Sequence, residues 1–292
     1  MVTTHKRKFK LPHIADVLIY TFITLLVVIT LLPFMNIIAI SMSSYSEVVS
    51  STAMLLPRGF TLIAYRSVFT EKVLVSFIWT VVICLSSSAL HILVCLLTAY
   101  PLSKRELPGI NKVLVFILIP MLFSGGLVPF YQLIRSLGWI DSWEVFIIPG
   151  LFSGYNVILM KNFIRQIPSS IEEAARIDGA GYFYILFRII LPLSMPIISC
   201  LLLFYAVGKW NDWFTGMIYI NTKSYLYPLQ TVLREILATG NLDNFNGFTA
   251  YRQVYPESTK MAITIFSIVP IACVYPFLQK YFVKGIFIGS VK

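Results

Sequence analysis

Charge is scarce in this 292-residue sequence. Asp, Glu, Lys and Arg make up 12% of it, roughly half the share a soluble domain carries. That excludes an ordinary water-soluble globular fold. Only three histidines occur, His5, His13 and His91, and none is spaced from a carboxylate or a cysteine in a way that suggests a metal site or a nucleophilic triad. The four cysteines, Cys84, Cys95, Cys200 and Cys273, all fall inside apolar stretches without paired or metal-like spacing, which excludes a disulfide framework. No Gly-x-x-x-x-Gly-Lys-Ser/Thr run exists, so the chain has no phosphate loop of its own for ATP. The net charge of +10 is scattered among apolar spans rather than lined along one face, which argues against nucleic acid. No internal repeat stands out. The expectations are no catalytic residues, no metal, no cofactor, and a chain that is not an enzyme.

What is abundant is apolar: 58% of residues are hydrophobic and the mean hydropathy is +0.81. Six stretches of near 20 residues or more are long enough to cross about 30 Å of hydrocarbon. They cover 14–40, 73–99, 113–132, 144–162, 192–216 and 259–281. In lipid they must be helices, because no water is available to satisfy backbone groups. The predicted fold class is therefore all-α, a polytopic membrane protein of six transmembrane helices. A basic tail, residues 1–13, precedes a six-span region over 14–281, and a second tail occupies 282–292. The first span is too long for a signal peptide and has no small-residue cleavage site.

With the amino terminus placed inside, 14 Lys and Arg fall on inner segments and 8 on outer ones. This excess predicts both termini in the cytoplasm of a bacterial cell membrane. Two outer segments, 41–72 and 217–258, are sizeable. The first is rich in serine, and the second carries the periodic Leu226, Leu229, Val232, Leu233, Ile236 and Leu237 of a helix lying at the membrane face.

The longest polar passage enclosed by apolar spans is 165–192, on the inner side by the same count. Ser169 with Glu172, or Ser170 with Glu173, closes a capping box after Pro168 and starts a helix. That helix runs through about Ile177, where Asp178-Gly179-Ala180-Gly181 supplies residues that tolerate a left-handed stop. A second short helix, Tyr182 to Ile190, is predicted to end before Pro192. Helices this short need a surface to lie against. Ala174 and Ala175 permit close backbone approach, and Glu173, Arg176 and Asp178 offer charges at the rim.

The spacing Glu173-Ala174-Ala175, three residues, Gly179, nine residues, Ile189, one residue, Leu191-Pro192 resembles the EAA loop of membrane permeases in binding-protein-dependent ABC importers. The resemblance continues along the chain. Residues 36–46, the turn Leu137-Gly138-Trp139-Ile140-Asp141, Trp210-Asn211-Asp212, and 281–292 are similar to carbohydrate-importing, maltose-type permeases. It implies that the loop forms coupling helices against a cytoplasmic ATPase, with Glu172, Glu173, Ala174, Ala175, Arg176, Asp178, Gly179 and Ala180 as the coupling residues. It also implies the partners: a second homologous permease, a cytoplasmic ATP-binding subunit dimer, an extracytoplasmic solute-binding protein and an oligosaccharide. The outward Arg and Lys favour an acidic oligosaccharide such as a uronate, and equally fit a basic rim contacting the solute-binding protein.

Within the fifth span, Lys209, Trp210, Asn211, Asp212 and Trp213 form a candidate substrate path. Trp210 and Trp213 can stack on a sugar ring, with Asn211 bonding hydroxyls. Lys209 and Asp212, three apart, equally fit a plain ion pair beside an interfacial tryptophan belt. His91 is read as an interhelical hydrogen-bonding residue. A relay through Asp212 and His91 is the requirement of the alternative, a stand-alone transporter driven by a proton or sodium gradient.

Overall fold

The computed structural model describes residues 14–51, 53–104, 106–239 and 256–290, with side chains withheld for 239, 275 and 277–290. All regular structure among the described residues is helical. The basic tail over 1–13 lies outside them. The helix Pro256–Ser290 continues through residue 281, so no break marks the expected tail at 282.

Three helices are long and apolar enough to cross a membrane by themselves: Ile14–Ser41, Glu71–Ser103 and the Pro256–Val274 part of the last helix. The stretches expected as continuous spans at 113–132, 144–162 and 192–216 are instead bent pairs. Ile110–Leu122 and Leu127–Ser136 meet at 110°, Glu144–Gly150 and Gly154–Ile164 at 46°, and Tyr182–Leu193 and Met195–Trp210 at 78°. The first break follows from Ser124-Gly125-Gly126, with Gly126 at φ +83°, a conformation that costs a side-chain-bearing residue strain. Hydropathy cannot see such a break, because glycine and serine between apolar neighbours barely lower a window average.

The chain forms two compact units, Met1–Val68 with Asn246–Ile265, and Phe69–Phe245 with Phe266–Lys292. In the first, the outer flanks of Ile14–Ser41 are exposed along nearly their whole length, as befits a helix that faces lipid or another subunit. The serine-rich segment after it is knotted back by hydrogen bonds. Ser43 donates to the Ala39 carbonyl at 2.6 Å and accepts from the Arg58 amide at 3.0 Å, while Asn36 donates to the Met54 carbonyl at 3.0 Å. Ser41 and Tyr65 hydroxyls lie 2.9 Å apart. These serines satisfy backbone groups of a tight fold and do not form an open polar surface.

The second unit is built on Glu71–Ser103. One core cluster packs Cys95, Leu96 and Ala99 of that helix against Val157, Met160 and Ile164, then Ile185, Leu186, Ile190 and Leu201. A second joins Ile83 to Ile134, Val145, Phe146, Tyr219 and Ile220. Leu229–Thr239 is the helix expected from the leucine periodicity, with Leu229, Val232 and Ile236 fully buried. It packs against Glu71–Ser103, and Thr80 accepts the Leu229 amide at 2.8 Å, so one helix supplies the cap of the other. Leu226 falls outside this helix, in the short turn Ser224–Leu226, because Pro228 interrupts the pattern.

The turn 137–142 is fastened by Asp141, whose φ is +56°. Its Oδ1 accepts from the Asn221 and Thr222 amides at 2.6 and 2.9 Å, and its Oδ2 from the Thr222 hydroxyl at 2.9 Å. The Thr222 amide, with that of Asn221, holds the carboxyl at about 2, below its ordinary value of 3.8. A depressed carboxyl stabilises the fold above its ordinary value, and that contribution is lost as pH falls through about 2. Replacing Asp141 with Asn should therefore speed hydrogen exchange of the Asn221 and Thr222 amides roughly two- to tenfold at neutral pH. Equal exchange in both proteins would show that the carboxylate does not hold this turn.

Candidate functional site

The inner polar passage folds as expected at one end and differently at the other. Ser169–Ile177 is a helix, but Pro168 occupies the cap position and no side chain caps the helix there. Neither predicted capping box forms. Glu172 is drawn away by stronger donors: it is 9% exposed, accepts from the Tyr100 hydroxyl at 3.0 Å and pairs with Lys104. At the far end the Ala180 amide reaches the Ala175 carbonyl at 2.9 Å and the Gly179 amide reaches Arg176 at 3.0 Å. This is a Schellman stop, and it requires Gly179 at φ +84°. Nothing lies within 4 Å of where a Gly179 side chain would begin, so the backbone conformation, and not space, demands glycine there.

The predicted second helix does not stop before Pro192. Tyr182–Ile185 runs into a widened π turn, Leu186–Ile190, and then Leu191–Leu193. A π turn relaxes the packing of the preceding carbonyls, which accommodates a proline ring and its missing amide. The break comes at Ser194 instead.

The helix Ser169–Ile177 thus has two faces. Glu172, Ala175 and Ala180 turn inward, the two alanines against the main core. Glu173, Ala174, Arg176, Asp178 and Gly179 face outward with Ile177, which is 87% exposed. The Arg176 guanidinium sits 4.8 Å from the Tyr182 ring centre. The outward set is an apolar tip flanked by one cation and two acids.

At the end of the third bent pair the sequence-predicted residues separate. Lys209 donates to the Phe146 carbonyl at 2.7 Å, and Asp212 accepts from the Thr215 amide at 3.1 Å and hydroxyl at 2.7 Å. The expected Lys209–Asp212 pair does not form, because a freed carbonyl captures the ammonium and the next helix, Phe214–Tyr219, takes the carboxylate. Trp210 is buried: its indole donates to the Ser267 carbonyl at 3.0 Å and its ring meets Phe77 edge-on at 5.9 Å. Asn211 is exposed, and Trp213 is half-buried with the Arg234 guanidinium 4.9 Å from its ring.

His91 is fully buried. Its Nδ1 lies 2.9 Å from the Leu151 carbonyl and 3.2 Å from that of Gly150, and its Nε2 lies 2.8 Å from the Asn156 amide nitrogen. Carbonyls only accept, so Nδ1 carries the proton, and Nε2 accepts from Asn156. The ring stacks on Tyr205 at 4.0 Å, and the Tyr205 hydroxyl donates to Gly150 at 2.9 Å. His91, Tyr205 and Lys209 together satisfy the carbonyls exposed at the Gly150 break. His91 and Asp212, the two residues of the alternative relay, thus have separate partners.

The passage 165–192 carries a glycine-stopped helix whose acids and cation face outward, and the described residues form an all-helical frame of apolar stretches. Residues 5–288 match the sequence model of the binding-protein-dependent transport system inner membrane component. The chain belongs to this family.

Among relatives of this permease, Protein LplC of Bacillus subtilis (strain 168) is 42% identical over 90% of both chains. The polygalacturonan/rhamnogalacturonan transport system permease protein YtcP of the same organism is 39% identical over 95% of this chain and 98% of its own. A solved structure, that of a bacterial ABC transporter involved in the import of the acidic polysaccharide alginate, superposes with a TM-score of 0.87 at 28% identity. That likeness covers 94% of this chain and 99% of that one.

Three residues of this permease's site escaped sequence reasoning. Tyr100, Lys104 and Arg165 were legible only as a span residue and as inner-side charges. Arg165 donates to the Ser103 and Leu102 carbonyls at 3.2 and 3.3 Å, closing the end of Glu71–Ser103. Lys104 lies 68 residues from Glu172, and no local spacing announces such a pair.

Two outcomes follow from this geometry. Gly179→Ala should destabilise the helix stop by about 1–2 kcal/mol, and Gly179→Asn by less, since asparagine tolerates the left-handed region; exchange rates at Asp178 to Ala180 report it, and equal effects would contradict the conformational argument. His91→Phe keeps the stack on Tyr205 but strands the Leu151 carbonyl and Asn156, and should cost about 1–3 kcal/mol in thermal unfolding of the purified complex. A neutral substitution would show that these partners are not needed.

Proposed function

We propose that this chain is the permease subunit of an ATP-driven importer for oligosaccharides, with acidic, uronate-containing chains as the preferred class. It crosses a bacterial cell membrane six times, each bent pair counting as one crossing, with both termini in the cytoplasm. A second, homologous permease completes the path, a cytoplasmic ATPase dimer binds below, and an extracytoplasmic binding protein delivers the sugar. The observation that carries this reading is the outward face of Ser169–Ile177, in a chain that belongs to a family of transport components and has no phosphate loop of its own.

Glu173, Ala174, Arg176, Asp178 and Gly179 form the docking face, while Glu172, Ala175 and Ala180 hold the helix to the membrane region. ATP-driven closure of the ATPases displaces the docked helices, and the bent spans convert that movement into alternate opening of the path. The acidic class draws support from the relatives, one named for polygalacturonan and rhamnogalacturonan and one structure for alginate. Of the residues 209–213, Asn211 and Trp213 keep accessible surface for a sugar, with Arg234 beside Trp213 as a cation for a carboxylate. Trp210 and Lys209 serve the scaffold.

The test is reconstitution with the second permease, the ATPase and the binding protein in proteoliposomes, following labelled oligogalacturonide and labelled maltooligosaccharide. Uptake of the uronide should require internal ATP, and Glu173→Ala should lower ATPase co-purification on the order of tenfold. Uptake undiminished without ATP overturns the importer reading. Uptake of the neutral sugar alone overturns the acidic class.

A further inference from the structure

The docking reading leaves one carboxylate on the face turned away from any partner. Glu172 Oε2 receives both the Tyr100 hydroxyl and the Lys104 ammonium, and Lys104 also lies 4.4 Å from the Tyr100 ring centre. A buried carboxylate with one charged and one neutral donor is held far more tightly than an exposed ion pair. Both donors belong to the last turn of Glu71–Ser103 and the residue after it, the same end that Arg165 closes.

The surroundings make this contact unusual. A cleft of about 620 Å³ opens beside it, walled by Leu97, Pro101, Tyr182, Phe183 and Leu186. Side chains across an open cleft do not press on one another, so apolar packing transmits no displacement there. Ala175 of the helix and Ala180 just after it also touch the core but present only methyl groups. The polar cluster is the directional contact between the two helices.

We propose that Glu172, Lys104 and Tyr100 are positioning residues that transmit movement of the docking helix to Glu71–Ser103. This rests on the reading of Ser169–Ile177 as the ATPase-docking helix. Glu173 meets the partner, and Glu172, one residue before it, carries the movement inward.

The test uses the full complex in nanodiscs, with hydrogen exchange measured with and without ATP plus orthovanadate. In the wild type, nucleotide should change exchange both in 169–177 and in 95–104. In Glu172→Gln the change in 169–177 should persist, while that in 95–104 falls from on the order of tenfold to less than about twofold. The reversed pair Glu172→Lys with Lys104→Glu should restore most of it, while loss confined to 95–104 with the response at 169–177 kept is what a purely structural role does not predict. Tyr100→Phe, which removes only a hydroxyl, should give a partial loss and serves if Glu172→Gln does not assemble. An undiminished response at 95–104 in the single variants, or no recovery in the reversed pair, overturns the link. Absence of any response at 169–177 in the wild type overturns the docking reading itself.

Discussion

A freed backbone carbonyl inside a membrane has no water to turn to, and this fold depends on how the chain answers that constraint. Three of its apolar stretches are broken, and each break releases backbone groups. At the Gly150 break the answer is visible atom by atom. Lys209 reaches Phe146, Tyr205 reaches Gly150, and His91 reaches Gly150 and Leu151. Two different helices supply these donors, so the break is held only while Glu71–Ser103 and Met195–Trp210 stay packed on it. Bends in the spans and packing between them are therefore one property.

The same constraint acts on the polar side chains at membrane depth. A lysine, a histidine and a tryptophan at membrane depth attract attention because such groups are costly there. In this protein Lys209, His91 and Trp210 each donate to a main-chain carbonyl. Asn211 and Trp213, just after the third bent pair, keep accessible surface, and Arg234, from a helix that sequence reading treated separately, lies against Trp213.

In the helix Ser169–Ile177 the division is sharper. Adjacent glutamates take opposite roles, since the helical turn that points Glu173 outward points Glu172 at the end of Glu71–Ser103. The motif spacing identified the element, and the glycine stop at Gly179 formed as its residues implied. The capping box did not, because Glu172 found a cation and a hydroxyl, which a carboxylate favours over a backbone amide.

The sequence by itself determined the apolar stretches, the leucine face of Leu229–Thr239 and the helix Ser169–Ile177 with its glycine stop. These follow from composition and from contacts within one or two helical turns. The tertiary structure alone decided where the spans bend, whether Lys209 pairs with Asp212 or with Phe146, and which of two neighbouring glutamates is buried. Those outcomes are competitions between donors and acceptors some 60 to 70 residues apart, as Lys209 and Phe146 or Lys104 and Glu172 are, and the winner is set by which helices pack together.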